Sequence, residues 1–128
     1  MTSDPIVSAA LLPTLAVIAP DFVAEICGAL VSDVGTMQTQ ELGASLIAQV
    51  ISCVIERCTY DPSVNCGYIY VIRPRSANYP TLGAPHSGTI AFLHLGFNID
   101  IDVEDQIAGI ELLDRSDIFQ KLREAYAL

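Results

Sequence analysis

The hydrophobic periodicity of the chain changes near residue 60, and this change limits the folds that it can adopt. Before it, apolar residues such as Phe22, Ile26 and Leu30 recur every three to four positions, the spacing of one face of an α-helix. After it, apolar and polar residues alternate, as in a half-buried β-strand. The sequence therefore predicts an α+β fold, with N-terminal helices packed on a small antiparallel β-meander and a C-terminal helix.

Three helices are predicted in the first part of the chain. Asp4 caps the first helix, and Pro13 kinks or splits it. The second helix begins at Pro20 and stops at residues 34–35. The third covers residues 38–58, where the apolar stripe is wide enough to be buried on more than one side.

Strands are predicted in the second part of the chain, after a turn at residues 60–62. They cover residues 68–72, 89–95, 97–103 and 106–113, with a long exposed loop at residues 73–88. Ser116 or Asp117 then caps the terminal helix, which carries Ile118, Phe119, Leu122 and Tyr126. We expect one domain over residues 1–128, with a helical part (1–57) and a part formed by the meander and terminal helix (58–128).

The charge of the chain restricts its partners. The formal net charge is −9, and residues 1–56 contain six acids and no Lys or Arg. Nucleic acids and anionic membranes are poor partners because phosphate binding relies on clustered Lys and Arg. A basic protein surface is a better partner. The apolar excess of residues 1–56 predicts, in addition, a homo-oligomer formed through the N-terminal helices.

The N-terminal segment and the cysteines indicate a cytoplasmic protein. The apolar run that ends at Pro20 lacks the positive region of a signal peptide, since the first basic residue is Arg57. The four cysteines form no C-x-x-C pair, and buried free thiols are the simplest interpretation; they are Cys27, Cys53, Cys58 and Cys66.

An acidic ladder is the most distinctive polar feature. In the strand 97–103 the polar residues Asn98, Asp100 and Asp102 alternate with apolar ones, and Glu104 and Asp105 follow directly. Three interpretations are open: a solvated hairpin face, a patch that binds a basic partner, or a site for a hard cation such as Ca²⁺ or Mg²⁺. A calcium loop of the EF-hand type is not favoured, because its glycine turn and distal Glu are missing.

Signatures of catalysis are not found in the sequence. His86 and His94 are eight residues apart and have no metal-binding spacing. Neither a G-x-S-x-G elbow nor a glycine-rich phosphate loop occurs. We predict no catalytic residue, no metal ligand and no cofactor. The predicted partner-binding residues are Asp100, Asp102, Glu104 and Asp105.

Two stretches, YDPSVNCGYIYV (60–71) and NIDIDVEDQIAGIELLDRS (98–116), resemble the two halves of a small bacterial family called domain of unknown function 2283. Its members typically read YDPxxDxLYI and then DYDxDGxIVGIEIL. The resemblance covers about residues 58–116, and the helical extension before it is unmatched. The chain departs from the pattern at Asn65, Gly67 and Asp105, the last of which stands where the family has its hairpin glycine.

The resemblance implies a β-meander followed by a helix, and it implies no established activity. Some members of that family are similar to antitoxins, because they occur beside toxin-like genes. Together with the acidic composition, this favours a small protein-binding module, such as an immunity protein or antitoxin that masks a basic toxin. A homo-oligomeric interaction module is the alternative, and an enzyme or metal-binding protein comes third.

Overall fold

The computed structural model describes residues 14–32, 40–72, 78 and 84–126. The described residues contain four α-helices, α1 (Leu15–Ile18), α2 (Pro20–Ser32), α3 (Gln40–Ser52) and α4 (Ser116–Tyr126). They also contain five strands, β1 (Ile55–Asp61), β2 (Cys66–Val71), β3 (His86–Phe92), β4 (Phe97–Asp102) and β5 (Ile107–Leu113). A 3₁₀ turn, Leu93–Leu95, connects β3 to β4. The predicted α+β fold, with helices first, an antiparallel sheet and a C-terminal helix, is confirmed.

The five strands form one sheet in the order β1-β2-β5-β4-β3, and every neighbouring pair is antiparallel. Strands β3, β4 and β5 are consecutive neighbours and make a meander, while β1 and β2 make a hairpin that joins it through β5. Strand β5 is therefore central, with β1 and β3 at the edges. This arrangement brings side chains from both halves of the chain onto the same surface.

All four helices contribute to one hydrophobic core on the inner face of the sheet. The buried face of α2 contains the predicted residues, which are Phe22, Ile26, Ala29 and Leu30. Phe22 packs edge-on against Phe97 of β4, with ring centroids 5.6 Å apart. No helix in the described part of the chain is long and apolar enough to cross a membrane.

The predicted third helix is too long. It ends at Ser52, and residues 55–61 form strand β1 instead. The sequence did not reveal this boundary because apolar residues continue past Ser52, over residues 53–55, so that both periods fit. Pairing with β2 decides the outcome, since it satisfies backbone hydrogen bonds and buries Ile55 completely. Arg57, which was expected on the helix, lies on the sheet.

Other predicted boundaries are also corrected. Strand β3 begins at His86, inside the predicted loop, and ends at Phe92 rather than Leu95. The 3₁₀ turn ends at Gly96, whose φ of 79° lies in the left-handed region that glycine adopts without strain. The predicted first helix is described only in its last part, as α1 (Leu15–Ile18), and its part from Asp4 to Pro13 lies outside the described residues. Most of the predicted loop at 73–88 also lies outside them.

Arg115 connects α2, the 3₁₀ turn and α4. Its guanidinium donates to both carboxylate oxygens of Glu25, at 3.1 and 3.0 Å, and to the carbonyl oxygen of Leu95 at 2.8 Å. It also forms two hydrogen bonds of 3.0 Å with the carboxylate of Asp117. The hydrogen bonds from Arg115 hold the pKa of Asp117 below its ordinary value. This cation is fully engaged within the fold.

Gly67 lets α4 approach the sheet closely. A Cβ atom at this position would overlap the ring of Phe119 and the carbonyl oxygen of Thr59. The Phe119 ring also packs on Tyr60, with ring centroids 4.3 Å apart. Gly28, in the middle of α2, has open space where a Cβ would lie.

We expect Gly67→Ala to lower the free energy of unfolding by about 3 kcal/mol, because the added methyl group meets backbone as well as a buried ring. Gly28→Ala is the matched control and should be neutral or stabilising by up to about 1 kcal/mol, since alanine favours an open helical position. Urea denaturation of both variants measures the difference. Equal effects would contradict the close packing of α4 on β2.

Candidate functional site

Two rows of residues cross the face of the sheet that points away from the core, and we call this surface the outer face. Strand register defines each row, because residues paired across neighbouring strands point to the same side. The first row is Arg57, Tyr70, Gly109, Asp100 and Thr89, and the second is Thr59, Tyr68, Glu111, Asn98 and Ala91. Every strand contributes one residue to each row.

Gly109 leaves a gap in the first row, and the ring of Tyr68 fills it. The Tyr68 ring occupies the space where a Cβ of Gly109 would lie. Tyr68 therefore extends over β5 to the next strand, where its hydroxyl donates to Asp100 Oδ2 at 2.6 Å. Thr89 Oγ1 donates to the other oxygen, Asp100 Oδ1, also at 2.6 Å. The Asp100 carboxylate thus connects strands β2, β4 and β3.

The chemistry of Tyr68 follows from this contact. Burial, together with the hydrogen bond to Asp100, raises the pKa of Tyr68 well above its ordinary value. A phenol that stays protonated is a hydrogen-bond donor, and it is a poor general base near neutral pH. The Tyr68 and Asp100 pair therefore fits a binding surface better than proton abstraction.

A cation already contacts the aromatic part of the outer face. The rings of Tyr68 and Tyr70 pack with centroids 4.6 Å apart. The guanidinium carbon of Arg57 lies 3.7 Å from the centroid of the Tyr70 ring, within the range of a cation–π interaction. The tyrosines therefore provide a surface on which a planar cation can stack.

Asn98 and Glu111 form the polar centre of the second row. Asn98 Nδ2 donates to Glu111 Oε1 at 2.8 Å. Asn98 is only 8% exposed, and within the described residues its Oδ1 atom is buried without a hydrogen-bond partner. Buried carbonyl oxygens nearly always accept a hydrogen bond, so this atom is an exception that points to an additional donor.

The interpretation of the ladder as a solvated face is wrong at two of its residues. Phe97, Ile99 and Ile101 face the core as predicted. Asn98, however, is buried on the outer face, and Asp102 is only 2% exposed. A polar residue on the far side of a strand is shielded when long neighbouring side chains cover it, and alternation in one strand does not reveal those neighbours.

Asp102 stabilises the turn between β4 and β5. Its Oδ1 atom accepts the backbone N–H groups of Glu104, at 2.8 Å, and Gln106, at 3.0 Å. Asp105 takes a φ of 59°, which Asp tolerates better than most residues, so the hairpin bends there without a glycine. From α3, Gln49 accepts the Ile107 N–H at 2.7 Å and donates to the Asp105 carbonyl at 3.0 Å.

The four predicted partner-binding residues therefore occupy different environments. Glu104 and Asp105 are exposed at the turn, Asp100 is half-buried on the outer face, and Asp102 is buried. Their binding role stays a prediction. The sequence analysis did not assign Tyr68, Tyr70, Arg57 or Glu111 to this surface. For the tyrosines a signal was present, since they alternate with the buried Ile69 and Val71.

Neither the four cysteines nor His94, the histidine whose side chain is described, adds a reactive centre. All four cysteines are free, as predicted, although they are half-buried rather than fully buried. A cavity of about 310 Å³ lies beside Cys53, but burial raises the pKa of that thiol to about 11, so it stays protonated and weakly nucleophilic. His94 is exposed in the 3₁₀ turn. Among the described residues, no three His, Cys, Asp or Glu side chains are grouped to hold a metal ion.

We expect Tyr68→Phe to reduce the free energy of unfolding by about 1–2 kcal/mol near neutral pH, because the hydrogen bond to a charged acceptor is lost. Tyr70→Phe is the control, since the Tyr70 hydroxyl makes no hydrogen bond among the described residues. It should change the stability by less than about 0.5 kcal/mol.

The same variants predict a difference at alkaline pH. Because the folded-state pKa of Tyr68 is raised, its contribution is complete below the ordinary value of 10.0 and is lost as the pH rises above it. Tyr68→Phe should therefore flatten the alkaline loss of stability, while Tyr70→Phe should not. Urea titrations at pH values on both sides of this threshold provide the measurement, and identical profiles would contradict the contact with Asp100.

Comparison of the chain with protein-family models, with curated proteins and with solved structures finds no match. The resemblance to family 2283 therefore stays a prediction.

Proposed function

We propose that the chain is a small acidic protein-binding module that covers a basic surface of a partner protein. An immunity protein or antitoxin that masks a basic toxin is the class of protein that fits this description best. The proposal rests on one observation, which is the unequal use of acidic and basic side chains by the fold. The two described arginines that contact the sheet or its turns are engaged by other side chains, while several described acids remain accessible.

Among the described residues, two arginines contact the sheet or its turns, and both have partners inside the chain. Arg115 is held by two carboxylates, and Arg57 stacks on Tyr70. By contrast, Glu104 and Asp105 are exposed, and Glu111 is half-exposed. These acids extend from the β4–β5 turn onto the outer face. A basic partner would therefore meet negative groups that few of the described cations neutralise.

Accessible charge of this kind acts mainly on the rate and specificity of association. Opposite charges guide two proteins together, and the effect weakens as salt screens them. The tyrosines beside the acids would add contact area, because aromatic residues are common at the centres of interfaces. The turn would thus attract the partner and the outer face would hold it.

A cytoplasmic location is part of the proposal. Four free cysteines support it, since thiols persist in a reducing compartment.

A homo-oligomer is the second candidate function, and one observation favours it. The N-terminal helices expose large apolar side chains, with Val17 76%, Val31 63% and Ile51 55% accessible. Exposed apolar area often marks association between subunits. This arrangement is compatible with partner binding, because the outer face lies on the opposite side of the sheet from the helices.

The proposed binding is tested with the protein encoded by the gene next to this one. The association rate of the two proteins is measured at several salt concentrations. Glu104→Gln together with Asp105→Asn should slow association and flatten its salt dependence, because two exposed charges are removed. Asn tolerates the positive φ at position 105, so the turn should keep its shape.

The matched control is Asp21→Asn together with Glu124→Gln, which removes the same charge from exposed helical positions. It should leave the association rate nearly unchanged. The proposal is refuted if both double variants slow association equally, or if the wild-type chain does not bind the neighbouring product.

The oligomer is tested by light scattering. We expect a dimer at tens of micromolar, and Val17→Lys with Val31→Lys should produce a monomer because buried apolar contacts would be replaced by charges. Val64→Lys is the control, since Val64 is also 63% exposed but lies in the β1–β2 turn. A monomeric wild-type chain would exclude this candidate.

A further inference from the structure

Asn98 and Glu111, on the outer face, each have one side-chain oxygen that accepts no hydrogen bond within the described residues. Asn98 Oδ1 is buried and accepts no hydrogen bond from any described residue. Glu111 receives one hydrogen bond, from Asn98 Nδ2, at only one of its carboxylate oxygens. Asn98 and Glu111 are paired in register, and each therefore retains an oxygen that can accept an N–H or O–H group.

The surroundings of these atoms determine which donor fits. Glu111 is paired in register with Tyr68 on one side and with Asn98 on the other. Asp100, on the same face, adds a second negative charge, whereas Arg57 is the one cation in the two rows. A donor that enters here gains from a positive charge and from a flat shape that can lie against a tyrosine ring.

A guanidinium group meets these requirements better than an ammonium group. It carries five N–H donors in one plane, so it can contact a carboxylate and an amide oxygen together while its face stacks on an aromatic ring. Lysine offers a compact charge that cannot form the same planar fork. Arg57 on Tyr70 shows this kind of stacking elsewhere on the same surface.

We infer that Asn98 and Glu111, with the ring of Tyr68 beside them, form a binding site for an arginine side chain of a partner protein. This inference rests on the proposed function and specifies what the outer face recognises. Asn98 Oδ1 is shielded from solvent in the unbound chain. Binding therefore requires the side chains around Asn98 Oδ1 to move, so that the guanidinium can reach this atom and the Glu111 carboxylate together.

The test uses the complete chain labelled with ¹⁵N and two capped peptides, Gly-Arg-Gly and Gly-Lys-Gly. We expect the arginine peptide to shift the side-chain amide signals of Asn98 and the backbone signals of Glu111. The lysine peptide should bind at least about fivefold more weakly, since it cannot make the paired hydrogen bonds.

Glu111→Gln is the decisive variant. Its side-chain oxygen still accepts the Asn98 amide, so the fold should persist, but the charge is lost and arginine affinity should fall about tenfold. Glu124→Gln on α4 makes the same chemical change at an exposed position outside the two rows. It should change the affinity by less than about twofold.

The outcomes separate this inference from the proposed function. Equal losses in both variants, or equal binding of the two peptides, would refute the arginine site, while binding of the basic partner through the turn could still be observed. If the peptide causes no shifts at millimolar concentration and the neighbouring gene product still binds, the inference fails alone. If neither ligand binds, both proposals fail.

Discussion

One row of apolar side chains crosses all five strands, and the register that it fixes determines every position on the outer face. The row consists of Cys58, Ile69, Ile110, Ile99 and Ile90, and the register pairs each with the next. Its three central residues are completely buried under the helices. A slip of one residue in any strand would expose part of this row, so the hydrophobic core strongly opposes it. The outer face is therefore specified indirectly, by burial on the opposite side.

Within that fixed register, Gly109 determines how the polar residues interact. With any larger residue at this position, the ring of Tyr68 could not lie across β5. The tyrosine would then have no path to Asp100, and the Asp100 carboxylate would lose one of its two hydroxyl donors. Because Gly109 has no side chain, Tyr68 on β2 can reach Asp100 on β4, although these two strands are not neighbours. The absence of this side chain also places the two tyrosine rings together, which creates the aromatic part of the surface.

The sequence predicted the fold class because long-range periodicity reports which faces are buried. The helical face of α2 and the alternation of β4 both follow from that rule. The boundary between α3 and β1 did not follow, because residues 53–58 are compatible with either period and only pairing with β2 distinguishes them. The site was predicted least well. Asp100 was identified, but its partners Tyr68 and Thr89 lie in other strands, and strand order cannot be read from local patterns.

The acidic residues of the chain differ in how much the fold depends on the contacts of their side chains. Asp102 accepts backbone hydrogen bonds in the β4–β5 turn, and Asp100 accepts hydrogen bonds from two hydroxyl groups. Glu25 and Asp117 form ion pairs with Arg115. Removing any of these would alter folding and binding together. Glu104 carries no comparable structural contact through its side chain, and Glu111 contributes one hydrogen bond that glutamine can replace. Function and stability can therefore be separated at these two positions. A partner that depends on charge should be sensitive there, because the fold does not depend on the charge of these two carboxylates.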